Sequence, residues 1–236
     1  MLPILFFLAW WGTRTAVAEG ISQENAAIQR ERMVSSQIEA RGVKDSRVLA
    51  VLRQVERHLF IPVSIRQMAY EDMPLPIGLG QTISQPYIVA LMTELLQLKG
   101  YEKVLEVGTG SGYQAAVLSG LCSQVYSIEI VPKLAARAEK TLGELGYTNI
   151  TIRCADGYAG WPEEAPFDTI IVTCAPEEIP GALVSQLAEG GRLVLPVGKN
   201  FQVLKLLIKK QGRIIEKEII PVRFVPMVKT DSVPKK

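Results

Sequence analysis

The 236-residue chain holds one histidine, His58, and three cysteines, Cys122, Cys154 and Cys174. No CxxC or HxxxH spacing connects them, so they form no familiar zinc constellation and no metal is expected. The odd cysteine count and the apolar neighbours of Cys154 and Cys174 argue against a disulfide framework and predict buried free thiols. Excess charge is also missing: the formal net charge is +2, with basic and acidic residues mixed along most of the chain. Without a basic stripe, nucleic acid is not expected as the main partner. The long apolar run of a membrane anchor is absent as well. Leu2 to Trp11 is apolar but too short to span a bilayer permanently, so no stable membrane partner is expected beyond a leader. That run, followed by Ala16-Val17-Ala18, has the small-x-small pattern of a signal-like leader, although no Lys or Arg precedes its apolar core. Residues 1–30 are read as leader and linker, 31–230 as a single domain and 231–236 as a tail.

What is present suffices for one substantial core, at 48% hydrophobic and 21% charged residues. Ile28 to Leu59 has an amphipathic helical pattern broken at Gly42, with Asp45 or Ser46 able to cap the second helix. "FIPVSIRQMAYEDMPLPIG" carries three prolines and reads as irregular chain with short extended pieces. Pro86 and Tyr87 then open a helix with apolar residues at helical spacing. Beyond it the period changes. Short β-rich runs at 103–108, 124–130, 150–156, 167–175 and 191–198 alternate with segments that are mostly helical. Continuously apolar strands separated by helices predict an α/β fold with a doubly wound, mostly parallel, seven-stranded Rossmann-like sheet behind N-terminal helices. Two further β-rich runs flank Gln211-Gly212, predicting an antiparallel hairpin at the C-terminal sheet edge.

The first strand runs into "EVGTGSGYQAAVL". In a doubly wound sheet this turn is where a nucleotide meets backbone, and glycine permits the approach. A dinucleotide fingerprint would place its third glycine at position 113, which is Tyr113. Glu106 adds an acid where a pyrophosphate would lie, a charge that repels phosphate and attracts a cation. A ligand with adenine, ribose, an ammonium and a sulfonium but no phosphate suits this turn better: S-adenosylmethionine. Glu129, ending the next strand, can accept both ribose hydroxyls, and Asp156-Gly157, ending the third, can meet the adenine amino group.

Together with "GQTISQPY", "DGYAGWPEEAPFDTIIVTCAP", "LAEGGRLVLPVG" and "VRFVPMV", this turn closely resembles the protein-L-isoaspartate O-methyltransferases, from about Met33 to Val228. The resemblance implies methylation of the α-carboxylate of isoaspartyl residues in damaged proteins, with S-adenosylmethionine as donor. The ester then closes to a succinimide without the enzyme, and hydrolysis returns some normal aspartate. It implies Ser84 as the catalytic residue, with Gln81, Thr82, Ile83, Glu106, Gly108, Gly110, Glu129, Ile130, Asp156 and Gly157 around the cofactor. Leu79 departs from the family, whose members often carry a polar residue there. A cytoplasmic monomer is expected from the family and from cofactor supply, against the outward-pointing residues 1–18.

Ser84 is further expected to cap the helix at Pro86, so that the helix N-terminus favours the substrate anion. Trp161 and Pro162 are read as a loop lid, with core filling as the alternative; His58 is read as structural, and the lysines at 205–210 as a solvated strand face. Two other functions fit parts of the pattern. Another methyltransferase would share the cofactor turn without needing "QTISQP", and a non-catalytic binder of damaged chains would not need Ser84. A dehydrogenase requires the missing third glycine.

Overall fold

The computed structural model describes residues 21–229; the leader motif and the tail lie outside them. The fold begins inside the segment read as linker, with α1 (Gln23–Arg32), whose Ala26 is fully buried and whose Arg30 donates to the Arg53 carbonyl at 2.6 Å. α1 continues through a π-helical turn to Gly42, whose φ of 101° closes the segment, a conformation glycine adopts without strain. Asp45 caps α2 (Ser46–Gln54), its carboxylate accepting from the Arg47 N–H at 2.9 Å.

The proline-rich stretch is more ordered than the sequence suggests. β1 (Leu75–Gly78) and β2 (Gln81–Ile83) pair as an antiparallel hairpin, with Leu75 opposite Ile83 and Pro76 opposite Thr82. Leu79, at its tip, is more than half exposed and holds a φ of 55°. From the hairpin the chain passes through Ser84 and Gln85 into α3 (Pro86–Leu96).

Seven strands follow: β3 (Lys103–Val107), β4 (Gln124–Glu129), β5 (Ile150–Cys154), β6 (Phe167–Val172), β7 (Leu187–Val197), β8 (Gln202–Lys210) and β9 (Arg213–Val222). They form one sheet in the order β5-β4-β3-β6-β7-β8-β9, parallel through β7 and antiparallel from β7 to β9. This is the doubly wound sheet and edge hairpin expected. Neighbouring residues of a strand enter different cores: Val104 packs with α1 to α3, α4 (Tyr113–Ser119) and α5 (Pro132–Glu144), whereas Leu105 and Val107 join Phe167 and α6 (Gly181–Ser185). Each buried Leu or Val contributes about 1.5–3 kcal/mol by leaving water, which ties the helices to the sheet.

Strand order reverses between β3 and β6, so their C-terminal ends diverge there and leave a crevice. Trp161 stands away from it, filling the second core with its ring edge-on to Tyr126 at 5.3 Å; it is core, not lid. His58 is buried against the Tyr70 hydroxyl at 2.8 Å, as a structural histidine should be. The three cysteines are free, but only Cys122 is fully buried; Cys154, at the end of edge strand β5, is exposed. Lys205 is not simply solvated either, since it pairs with Glu216 across the β8–β9 ladder at 2.5 Å.

Candidate active site

Two cavities open at the crevice. The first, about 780 Å³, is lined by Gly108, Thr109, Gly110 and Ser111 after β3, by Glu129 and Ile130 after β4, by Gly157, and by Gln81 to Ser84 opposite. The second, about 1550 Å³, is a groove between Arg41, Tyr87 and Ile88 on one side and Ile220 to Pro226 on the other. Thr82, Ser84, Thr173, Val225 and Pro226 line both. Ser84 therefore stands at the junction of the two cavities.

The glycines explain the first cavity's floor. Gly108 has φ 100°, and a Cβ there would sit 2.4 Å from Thr173 Oγ1, whose hydroxyl bonds the Gly108 carbonyl at 2.6 Å. A Cβ on Gly157 would sit 2.3 Å from Val107 Cγ1. Both positions exclude any larger residue and leave bare backbone facing the cavity. Glu129 pins the turn: one carboxylate oxygen accepts from Gly110 N–H at 2.8 Å, the other from Val131 N–H at 2.9 Å. Each oxygen keeps a lone pair for a ribose hydroxyl.

Two expected cofactor residues lie outside this lining. Asp156 caps the short turn after β5, accepting from Tyr158 N–H at 2.9 Å, while its neighbour Gly157 reaches the cavity. Glu106 lies beneath the glycine turn, fully buried; one oxygen accepts from Ser127 Oγ, which is 2.6 Å from Thr109 Oγ1, and the other has no hydrogen-bond partner among the described residues. Burial pushes its carboxyl up to about 8, with the Ser127 hydrogen bond opposing the rise and the nearby Glu129 carboxylate adding to it. Burial thus favours the neutral form of Glu106 around neutral pH.

Glu106 ties stability to pH. Its folded pKa exceeds the unfolded 4.5, so the folded chain binds more protons between pH 4.5 and about 8. The contribution is complete below 4.5 and is lost as pH rises towards 8. Glu106→Gln should therefore lose less stability than the wild type between pH 5 and 8, measured by urea unfolding at both pH values; equal losses would contradict this.

Ser84 also departs from expectation. Gln85 occupies the N-cap of α3, and no side chain of the "TISQ" segment bonds the helix. Asp72 does so from the preceding loop: Oδ1 accepts from Tyr87 N–H at 3.2 Å and Oδ2 from Gln85 Nε2 at 2.8 Å, while Oδ2 also pairs with Arg41 at 2.5 Å. A carboxylate already at the helix N-terminus screens what the dipole offers a second anion. The Ser84 hydroxyl is thereby released from capping.

The sequence reading did not single out Thr173 or the groove wall. The wall is held by β-bridge hydrogen bonds from Ala175 N–H to the Val225 carbonyl, 2.9 Å, and from Met227 N–H to the Ala175 carbonyl, 2.8 Å. Its only signal in the sequence is "VRFVPMV", which carried no charge pattern or glycine to mark it.

A glycine-floored cavity at the switch point, with an acid ending β4, defines a class I S-adenosylmethionine-dependent methyltransferase. Comparison with known proteins narrows the class. The family model described as "Protein-L-isoaspartate(D-aspartate) O-methyltransferase" matches residues 28–232. The chain is 55% identical over 203 residues to a protein-L-isoaspartate O-methyltransferase of Opitutus terrae, covering 85% of this chain and 87% of that one. Against protein-L-isoaspartate O-methyltransferase 2 of Shewanella sediminis it is 57% identical over 200 residues, 84% and 82% of the two chains. A solved protein-L-isoaspartate O-methyltransferase superposes with TM-score 0.77 at 31% identity, over 85% of this chain and 66% of that one. A Plasmodium falciparum relative, solved with S-adenosyl-L-homocysteine, gives 0.75 at 28% identity, over 85% and 98%. The chain belongs to the protein-L-isoaspartate O-methyltransferase family: it methylates isoaspartyl residues of proteins with S-adenosylmethionine, the first step of their repair.

Proposed function

We propose that the 780 Å³ cavity holds S-adenosylmethionine, that the groove holds the isoaspartyl segment, and that Ser84 aligns the two at their junction. The observation that carries this is the shared lining of the two cavities around Ser84, Thr82 and Thr173. The bare backbone at Gly108 and Gly157 and the Glu129 carboxylate fit the nucleoside; Gln81 to Ile83 face the methionine end. S-adenosylmethionine, when bound, supplies an electrophilic methyl group on sulfur.

The acceptor is an α-carboxylate, ionised well below neutral pH, so the chain needs no strong base. Transfer removes the acceptor's negative charge. A lysine or arginine in contact would hold the starting anion more tightly than the transition state and would slow the step. A neutral hydroxyl avoids that penalty: Ser84 donates one hydrogen bond, fixes one carboxylate oxygen and leaves the other to react. The protein's remaining work is alignment and exclusion of water, which holding both reactants in register accomplishes. Pro226 and Val225 wall both cavities at this point with apolar surface.

Among the described residues no helix is long and apolar enough to cross a membrane. We place the enzyme in the cytoplasm, where its cofactor is supplied, and take it to act as a monomer. Transfer of labelled methyl to an isoaspartyl peptide, beside its aspartyl counterpart, tests the reading of the junction.

A further inference from the structure

Arg57 is the largest of the fully buried side chains, and among the described residues no carboxylate forms an ion pair with it. It opens the 3₁₀ turn Arg57–Phe60 behind the hairpin and lines neither cavity. Its Nε donates to the Ala69 carbonyl at 2.8 Å and its Nη2 to the Ser84 carbonyl at 2.8 Å. The guanidinium lies 4.9 Å from the ring centre of Tyr113, the first residue of α4 after the glycine turn and part of the cofactor cavity's wall. One side chain thus joins the loop six residues before the hairpin, the residue directly after it, and the first residue of α4 beyond the glycine turn.

Burying a charge without a counter-ion costs several kcal/mol, and a neutral amide could bond a carbonyl without that cost. A planar fork reaches further than an amide: two separate nitrogens donate to two carbonyls at fixed angles while the cation lies over an aromatic ring. Burial lowers its pKa to about 10, which still leaves it cationic at neutral pH. Its place one peptide away from the junction also fits the chemistry. It orients Ser84 without touching the carboxylate, where a cation would stabilise the ground state.

The geometry points to Arg57 as a positioning residue for methyl transfer, acting through the Ser84 carbonyl to hold the Ser84 hydroxyl in register with the glycine turn. This rests on Ser84 being the aligning group. It excludes a purely scaffolding role, in which loss of Arg57 would lower activity only by lowering the folded fraction.

The test is a double-mutant cycle of Arg57→Lys and Ser84→Ala, with S-adenosylhomocysteine binding by calorimetry and kinetics on an isoaspartyl hexapeptide. Arg57→Lys keeps the charge and loses the fork. It should bind one equivalent of S-adenosylhomocysteine with Kd within about 3-fold of wild type, while kcat falls about 20-fold and peptide KM changes less than about 3-fold. In the Ser84→Ala background the Arg57→Lys change should cost nothing further, within about 2-fold, because its route of action is already gone. Multiplying losses, or an unchanged kcat in Arg57→Lys, would overturn the proposal. Full activity of Ser84→Ala alone would instead sink the Ser84 reading, a separate outcome. If Arg57→Lys does not fold, wild-type enzyme with ¹⁵N-labelled arginine decides: the slowly exchanging Arg57 side-chain signal should shift when the peptide joins the S-adenosylhomocysteine complex, and an unmoved signal counts against the proposal.

Discussion

Ser84→Ala should lower kcat on an isoaspartyl peptide about 100-fold, with the melting temperature and S-adenosylhomocysteine affinity unchanged. Misplacing one reactant by about 1 Å costs a factor of this size, and the hydroxyl is the polar side chain at the junction already freed from capping. Stability should not move, because the helix cap comes from Asp72 and the backbone carbonyl of residue 84 keeps its bond to Arg57. Had Ser84 been the cap, alanine would cost about 0.5–2 kcal/mol of stability. Paired measurement of kcat and unfolding therefore separates alignment from capping. A stability loss with full activity in the folded fraction would return Ser84 to a structural role.

Glu129→Ala should weaken S-adenosylhomocysteine binding about 100-fold by calorimetry. That corresponds to about 3 kcal/mol, the worth of one or two hydrogen bonds to a charged acceptor. The loss has two sources: the ribose hydroxyls lose their acceptor, and the N–H groups of Gly110 and Val131 lose the carboxylate that shapes the turn. Glu129→Gln separates them. Its single carbonyl oxygen can serve one N–H while its amide opposes the other, so it should fall between wild type and alanine. Affinity unchanged in Glu129→Ala would move the ribose elsewhere.

The central sheet was legible because its strands are buried on both faces and read as short, mostly apolar β-rich runs, such as "KVLEV" and "DTIIV". The β1–β2 hairpin was not. Strands of four and three residues are too short for alternation to register, and prolines and glycines within them spell loop. Ser84 was found, but its capping role was misjudged, because the true cap, Asp72, lies 12 residues upstream and nothing local announces it. Glu106 stood at the right place in the chain, but its burial was not legible. Protonation follows from burial beside Ser127 without a cation, a property of the folded core. Arg57, in "VERHLF", looked like any charged residue on an amphipathic segment; only the hairpin's return brings Ala69 and Ser84 to its two ends.

Methyl transfer to matched peptides differing only in isoaspartyl against aspartyl linkage tests the central claim most directly. With labelled S-adenosylmethionine, the isoaspartyl peptide should acquire one base-labile methyl ester per chain and the aspartyl peptide essentially none, since only the former presents a free α-carboxylate at the linkage that differs. Equal labelling of the two, or none in the isoaspartyl peptide by an enzyme that binds S-adenosylhomocysteine, would contradict it.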